Sequence, residues 1–589
     1  MHLKHREFSI PSLFLPLFLL CSSVHGTLAT DASLEFLDPT LPPALPSQTP
    51  KCSVLVLQQD FTGTVGTSPV TTNYTHPVDC PAPWTRVVLE LSLSASGVPV
   101  QKDRIAAVWI DGAEILRTST PFTINHSAFW KVHKDVTRYT ALLRRLSGGG
   151  GTVSMMLGNS NSKPPGVFTA NVSLHFYRGA LSAKSINNGH PSVKGLYREP
   201  ADHVIPISQE KASNGSSFWF QISGNSDIST ASVVIPRNTY RAVLEILASY
   251  HADDEFWYAN PLQTEYLQGG LGETRANGGL RQLYATIDGK FVGGHIPFAV
   301  IYPGSINPYF WSPVAAIGAF DMPTYDLEVT PFLGLVVDGQ PHEIGLGVKH
   351  SQSYWLLTAN LHLWVDRWSD AVEAMLVDYR APPLRVNPQA EWRNQDGSSE
   401  IDAEGLLRFV GWVSSSKGNV TTLVRQKVTF KSQVVVQNRG TVRQVEMINK
   451  EAMTVGVHRG KNQVVGRVQL FMDAPLQVQT STVNAAGGAV LRNTRLYHQL
   501  EEVLKLNDNM AVSTSMLTDR QDAEGTVLMH DGMPVWGGGS TKSSYKYRDE
   551  NTCYLRTVDA AGGAVKNDVT SASCAAASAA QAWVCLGHF

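Results

Sequence analysis

Three consecutive acidic residues stand beside three aromatic residues in HADDEFWYANP, positions 251–261. A carboxylate held against apolar rings has a raised pKa, which suits it to general acid or base catalysis. Rings that no strand pattern requires are candidates for stacking on sugars. We therefore take Glu255 as a candidate catalytic acid and Trp257 and Tyr258 as candidate sugar-facing rings. The alternatives are a solvated charge cluster for the acids and core packing for the rings.

A second candidate group lies at the starts of two apolar runs. Asp103 and Arg104 begin DRIAAVWIDG, and Arg281 stands near the start of LRQLYATIDG. An Arg side chain can hold sugar hydroxyls or a carbonyl oxygen that gains charge during a reaction. The alternatives are a surface ion pair for Asp103 and Arg104, and support of a strand entry for Arg281. The loop YPGSINPYFW at 302–311 adds Tyr309 and Trp311 as possible sugar-facing rings, again with core packing as the alternative.

These candidates lie in two related stretches of the chain. TYRAVLEILAS resembles TRVVLELSLS, LRQLYATIDG resembles DRIAAVWIDG, and a third pair of segments begins with Val-Thr in both stretches. Three similar segments in the same order predict a duplicated unit. The matched positions are Arg86 with Arg241, Glu90 with Glu245, Leu91 with Ile246, Arg104 with Arg281, Asp111 with Asp288, and Thr137 with Thr330.

The pattern of the repeat is that of β-structure. Hydrophobic and polar residues alternate with period two. Apolar runs end in Asp-Gly at Asp111-Gly112, Asp288-Gly289 and Asp338-Gly339, and this pattern predicts hairpin turns. We predict an all-β protein with two duplicated jelly-roll-like sandwiches and a third, β-rich C-terminal domain. The Gly-rich stretch at 537–540 is read as a turn. The predicted ranges are 1–26 for a signal peptide, 27–51 for a Pro-rich lead-in, 52–200 and 201–380 for the sandwiches, and 381–589 for the C-terminal domain.

The composition narrows the class of protein. The chain has 589 residues, 43% of them hydrophobic and 17% charged, with a formal net charge of −2. This near-neutral balance argues against a nucleic-acid partner, which would require a basic surface. A basic start followed by an apolar run predicts a secretory signal peptide. No later run is long enough to span a membrane, so we expect an exported protein without a membrane anchor.

Cysteines and glycosylation sequons agree with export. With Cys21 in the signal peptide, we expect Cys52 to pair with Cys80, and Cys553 to pair with Cys574 or Cys585. Neither a CxxC nor an HxxxH pattern is present, so we expect no metal site. Five Asn-x-Ser/Thr sequons are candidate glycosylation sites. They start at Asn73, Asn125, Asn171, Asn214 and Asn419.

Long motifs resemble the plant peptide-N-glycosidase A family: WIDGAEILRTSTP, DDEFWYANP, IDGKFVG and INPYFWSPVAAIGAFDMPTYDLEVTPFLGLVVDGQPHE. The resemblance covers most of residues 50–560. It implies hydrolysis of the amide between the innermost N-acetylglucosamine and Asn, which releases the whole N-glycan and leaves Asp. It also implies N-glycosylated peptides or denatured glycoproteins as substrates, no cofactor, and an apoplastic or vacuolar location.

A more distant resemblance, to bacterial peptide-N-glycosidase F, implies roles for individual residues. That enzyme has two adjacent jelly rolls with its active site at their junction, and its catalytic Asp and neighbouring Arg match Asp103 and Arg104. Its second acid, four residues before an Arg resembling Arg281, matches Asn277 here. This departure leaves Glu255 or Glu273 as the second acid. Asp103 is then the base, Glu255 its partner, and Arg104 and Arg281 the orienting cations.

Two other functions stay open on the sequence. The sequon at Asn125 replaces the acidic segment expected in relatives, which is compatible with a glycan-binding, lectin-like protein that has no turnover. Asp103 and Glu255 could also act as the carboxylate pair of a glycoside hydrolase. A serine hydrolase is disfavoured because the GxSxG pattern is missing.

Overall fold

The computed structural model describes residues 33–40, 49–64, 66–75, 79–96, 104–122, 127–145, 151–158, 166–178, 199–209, 217–262, 277–460, 463–507, 512–549 and 553–572. Strands dominate these ranges, as the sequence predicts for an all-β protein. The helices within them are all too short to cross a membrane.

The first nine strands form two sheets. One sheet has the order β1-β7-β4-β9-β2 and the other the order β3-β8-β5-β6. β1 falls within the predicted Pro-rich lead-in and pairs in parallel with β7 at the edge of its sheet. The strands are β1 (Leu34–Phe36), β2 (Cys52–Phe61), β3 (Val70–Tyr74), β4 (Arg86–Ser96), β5 (Ile105–Ile110), β6 (Ala113–Ser119), β7 (Ala128–Asp135), β8 (Gly151–Leu157) and β9 (Val167–Tyr177).

The next nine strands repeat this arrangement. The order β16-β13-β18-β10 matches β7-β4-β9-β2, and the order β12-β17-β14-β15 matches β3-β8-β5-β6. This is jelly-roll topology in both sets, which confirms the predicted duplication. We call the two sets the first and second jelly rolls. The second comprises β10 (His203–Ile207), β11 (Phe220–Ile222), β12 (Ile228–Val234), β13 (Thr239–Tyr250), β14 (Gln282–Ile287), β15 (Lys290–His295), β16 (Thr324–Glu328), β17 (Pro341–Lys349) and β18 (Trp355–Val365).

Matched residues of the repeat make matched contacts. The Thr137 hydroxyl accepts a hydrogen bond from the Val87 amide, and the Thr330 hydroxyl accepts one from the Ala242 amide, both at 2.9 Å. Asp111 and Asp288 both have φ of 48° in their hairpin turns. Each also accepts a hydrogen bond from an amide of the neighbouring strand. The shared Asp residues therefore build the turns, as their presence in both copies predicts.

The remaining strands form one antiparallel sheet, which we call the large sheet. Several of its strands run for 16 to 20 residues, and alternate residues are buried. Its strands are β19 (Glu373–Arg380), β20 (Arg385–Arg393), β21 (Asp396–Ser415), β22 (Gly418–Gln437), β23 (Val442–Arg459), β24 (Gln463–Asp473), β25 (Leu476–Asn484), β26 (Val490–Asn507), β27 (Val512–His530), β28 (Met533–Arg548), β29 (Cys553–Ala561) and β30 (Ala564–Ser571).

The Gly-rich stretch at 537–540 is not a turn, and this prediction was wrong. It lies within β28, on the large sheet. A side chain at Gly537 would come within 2.5 Å of the Tyr309 ring, and one at Gly539 within 3.1 Å of the Phe310 ring. These glycines allow the second jelly roll to pack closely on the strand.

Short helices connect some strands, and one of them overturns a predicted hairpin. Asp338-Gly339 follows a 3-10 helix rather than a strand, and the Asp338 carboxylate accepts a hydrogen bond from the Gln340 amide in a local turn. In the described residues the helices are the 3-10 segments Thr137–Tyr139, Ala252–Asp254, Trp257–Ala259, Pro308–Trp311, Thr330–Leu335 and Ala486–Gly488, and the α-helix Thr140–Arg145.

The second jelly roll contacts both the first jelly roll and the large sheet. The edge strand β6 exchanges backbone hydrogen bonds with residues 319–322. On the other side, the Gln521 side chain bonds the backbone of Ala315 and Ile317, and Thr541 donates to the Phe310 carbonyl at 2.7 Å. These polar groups are thus paired with backbone atoms across the contact, as burial favours.

The Cys52–Cys80 disulfide is present, as predicted, and joins the start of β2 to the chain before β4. Cys553 is buried, but Cys574 and Cys585 lie outside the described residues, so their pairing stays a prediction.

Of the sequons, Asn73 and Asn419 are exposed and Asn171 is half-buried. Asn125 and Asn214 also lie outside the described residues. Glycosylation at these positions stays a prediction.

Stability in acid should depend on buried His498. Its ring is 1% exposed and stacks on Phe298 at 4.7 Å, and burial lowers its pKa from 6.5 to about 3. Between these values the unfolded chain binds the proton and the folded chain does not. His498 therefore makes its full contribution to the free energy of unfolding above pH 6.5. That contribution falls by about 1.4 kcal/mol per pH unit as the pH drops towards 3.

We expect His498→Phe to flatten the fall of the unfolding free energy below pH 6.5 in denaturant titrations. His203→Phe, at an exposed position, is the matched control and should keep the wild-type slope. An unchanged slope in His498→Phe would contradict a neutral buried imidazole.

Candidate active site at the junction of the jelly rolls

The acidic segment of the first sequence motif follows β13 and forms two short 3-10 turns. Its three acids have three different surroundings: Asp253 is exposed, Asp254 is buried and Glu255 is half-buried. Glu255 Oε1 accepts a hydrogen bond of 2.9 Å from the Ser305 hydroxyl. Glu255 is therefore partly accessible and held in place by a neighbouring hydroxyl.

Ser305 belongs to the aromatic loop at 302–311, which touches both jelly rolls. A side chain at Gly304, where φ is +96°, would come within 2.7 Å of the Phe122 ring of the first jelly roll. Close to Phe122, Thr120 is bonded to Arg104 twice: its hydroxyl accepts from the Arg104 amide, and its amide donates to the Arg104 carbonyl, both at 2.9 Å. One loop therefore contacts the Glu255 segment and the chain next to the Arg104 strand entry.

Three buried donors around Glu255 have no hydrogen-bond partner among the described residues: the Tyr250 hydroxyl, the Trp257 indole N–H and the Asn307 side-chain amide. Tyr250 is 3% exposed and the other two are fully buried. Burial raises the pKa of Tyr250, and the nearby Glu255 carboxylate contributes to the increase. Unsatisfied buried polar groups are rare and often mark functional sites.

The structure adds His251, which precedes the acidic residues in the chain, to this group; its motif did not mark it as a candidate. Burial and the Arg117 guanidinium lower the pKa of His251 to about 3. His251 and Arg117 both bond the Ser249 hydroxyl, at 3.0 and 3.1 Å. Arg117 also forms a fully buried ion pair with Glu114, at 2.7 Å. Residues of both jelly rolls are thus connected by hydrogen bonds.

A second buried network crosses the same junction around Glu245. Its carboxylate accepts hydrogen bonds from the Tyr139 hydroxyl, the Asn360 amide and the His362 ring, at 2.8 to 3.1 Å, and pairs with Arg138. Burial tends to raise the pKa of Glu245, but Arg138 and His362 outweigh burial and hold it below its usual range. Glu245 is 1% exposed, so it supports the junction rather than meeting a ligand.

The structure corrects the role predicted for Arg281. This side chain is fully buried, forms an ion pair with Asp254 at 2.6 Å, and donates to the Gly278 and Leu280 carbonyls. Asp254 also accepts from the Trp355 indole at 2.8 Å. Arg281 has no surface with which to bind a sugar, and supports the strand entry instead.

The aromatic candidates are likewise placed in the core. Trp257 and Trp311 are fully buried and Tyr258 is 1% exposed. The Trp311 indole donates to the Ser305 carbonyl, so this ring fixes the loop that holds Glu255. Tyr309 is half-buried against the glycines of β28. Core packing, the alternative left open by the sequence, describes these rings.

Two predicted acids, Asp103 and Glu273, lie outside the described residues. Arg104 is described and half-buried at the entry of β5. Within the described part of the chain, no group of three or more His, Cys, Asp or Glu side chains is placed to hold a metal ion.

Comparison with known proteins gives the same family that the sequence motifs indicate. The sequence model of the family described as peptide N-acetyl-β-D-glucosaminyl asparaginase amidase A matches residues 39–382. The chain belongs to this family. A member of it, peptide-N4-(N-acetyl-β-glucosaminyl)asparagine amidase A from Prunus dulcis, is 34% identical over 544 residues, which are 92% of this chain and 93% of that protein. Its similarity therefore extends beyond the segment matched by the family, into the large sheet.

Solved structures outside the amidase A family are more distant. The glycosylasparaginase PNGase F from Flavobacterium meningosepticum is 12% identical with a TM-score of 0.33, and covers 53% of this chain and 96% of its own. PNGF-II is 13% identical with a TM-score of 0.34, and the match covers 52% of this chain and 62% of that one. Similarity this low carries no argument about the site.

Proposed function

We propose that this protein is a peptide-N4-(N-acetyl-β-glucosaminyl)asparagine amidase that acts on N-glycosylated peptides and denatured glycoproteins. The observation that carries the proposal is the match to the amidase A family, joined by a relative that aligns over 92% of the chain. The junction adds support, because a half-buried carboxylate and unsatisfied donors are grouped there. No nucleic-acid partner and no cofactor enter this proposal.

The reaction breaks the C–N bond of the Asn side-chain amide. Asp103 takes a proton from water as the water oxygen attacks the amide carbon, and Glu255 holds the water or protonates the departing nitrogen. Arg104 stabilises the charge that develops on the carbonyl oxygen. The products are an Asp-containing peptide and a glycosylamine. Glu273 is the alternative second acid.

We propose that the protein works in an exported compartment. The disulfide and the two exposed sequons are compatible with the secretory pathway, with an apoplastic or vacuolar destination. In this proposal, residues 1–26 are a signal peptide that directs the protein into the secretory pathway.

The test is the mass of the peptide product. Purified protein is incubated in acidic buffer with a fucosylated N-glycopeptide, and we expect loss of the whole glycan together with conversion of Asn to Asp. A peptide that keeps one N-acetylglucosamine would identify a glycoside hydrolase instead. Retained glycopeptide with measurable binding would identify a lectin-like protein.

A further inference from the structure

The outer face of the large sheet carries a polar groove that the proposed reaction does not use. Two adjoining depressions of about 620 and 760 Å³ run across β22, β23, β25, β26, β27 and β28. Six strands at the usual spacing extend over about 24 Å. The two depressions share Gln479, Arg495, Glu524 and Ser540.

Strand register explains how the groove is built. Gln444, Gln479, Arg495, Glu524 and Ser540 are successive cross-strand partners and form one row. A parallel row contains Gln433, Glu446, Gln477, Tyr497, Asp522 and Lys542. The alternate residues between these rows face the opposite side, where they are buried. The groove is therefore a continuous polar surface rather than a gap between domains.

An apolar strip borders the polar rows at one end. Val483, Leu491, Leu528 and Trp536 are successive partners across four strands. Trp536 is 62% exposed, and Val483 is 58% exposed. Gly538, next to Trp536 on the same face, has open space where a side chain would stand. Apolar residues grouped in one strip, with an exposed indole among them, form the kind of surface patch that marks a binding site.

We propose that this groove binds a neutral oligosaccharide. Its three acids and two cations nearly cancel, which argues against a polyanion such as nucleic acid. Side-chain amides offer both donors and acceptors, as neighbouring sugar hydroxyls do. An exposed indole supplies an apolar platform for the C–H face of a sugar ring, and a few placed polar groups beside it provide specificity.

The groove is separate from the junction of the jelly rolls. Tyr309 and Phe310, from the loop that holds Glu255, pack beneath Gly537 and Gly539 on the inner face of β28. Trp536 and Gly538 lie on the outer face of the same strand. The proposal goes beyond the amidase function, since a second carbohydrate site would hold another part of a glycan or a neighbouring glycan.

The experiment titrates a free high-mannose oligosaccharide, which has no Asn amide to cleave, into the intact protein by calorimetry. We expect wild-type binding, and binding weakened at least about ten-fold in Trp536→Ala, because an indole anchor commonly contributes that much. Trp368→Ala is the matched control, as Trp368 is 80% exposed and outside the groove. It should bind as the wild type does.

A second groove variant, Gln479→Ala, should also weaken binding, and the thermal midpoints of the variants should match the wild type because both side chains are exposed. Equal binding by Trp536→Ala and wild type, or no binding by the wild type, would overturn the proposal. Tighter binding of a peptide that carries no glycan than of the free oligosaccharide would also overturn it. None of these readouts depends on amidase activity, so failure here and failure of the proposed function are distinguishable.

Discussion

Replacing Asp103 by Asn is expected to lower the rate of glycan release by about 10²- to 10⁴-fold. This is the usual contribution of a positioned acid or base. The amide Asn cannot accept the proton of the attacking water. Folding should be preserved, because the substitution changes few atoms. The measurement is the single-turnover rate of conversion of Asn to Asp in a fucosylated glycopeptide.

The matched control for this variant is Asp111→Asn, at the other end of β5. Asn tolerates the positive φ of this turn and keeps an oxygen to accept from the Thr152 amide, so activity should be retained. Wild-type rates in Asp103→Asn would remove Asp103 from the mechanism. The amidase function itself would stand as long as the wild-type protein forms Asp.

Glu255→Gln separates the two candidates for the second acid. If Glu255 holds the water or protonates the leaving nitrogen, glycan release by Glu255→Gln should also be strongly slowed. Asp253→Asn, at the exposed neighbouring position, should keep the wild-type rate. Full activity in Glu255→Gln would instead direct the second role to Glu273.

Removing one partner of the buried Arg281–Asp254 pair is expected to destabilise the protein by about 3–5 kcal/mol, because the remaining charge is left without its counter-ion in the interior. Both side chains are fully buried, and Asp254 also holds the Trp355 indole and the Gln352 amide. We expect Arg281→Ala and Asp254→Ala to lower the free energy of unfolding by similar amounts in urea titrations.

Controls decide between this structural role and the sugar-binding role that the sequence suggested. The Arg367–Asp202 pair, in which the Arg side chain is 74% exposed, provides the comparison. Arg367→Ala should cost less than about 1 kcal/mol. The double variant Asp254→Leu with Arg281→Met should lose less than the sum of the single alanine variants. If Arg281→Ala unfolds like the wild type but raises KM, then Arg281 meets the substrate.

Repetition and residue alternation were sufficient to predict the strands and the repeated strand order. The paired segments place Thr137 and Thr330 in equivalent contacts, and the alternation predicts strands with one buried face. These features are local, so they can be read along the chain. The Asp338-Gly339 hairpin failed because an Asp-Gly pair also suits the turn after a 3-10 helix.

For the candidate site too, some features were predictable from the sequence and others were not. The sequence by itself determined the family, through long motifs, and the acidic segment that contains Glu255. Only the tertiary structure decided which of the three adjacent acids is buried, because burial of Asp254 depends on Arg281, 27 residues away. It also decided that Trp257 and Trp311 are core residues, since an aromatic side chain in a loop has the same sequence signature whether it faces solvent or packs inside. Burial depends on contacts between distant segments, which no local pattern records.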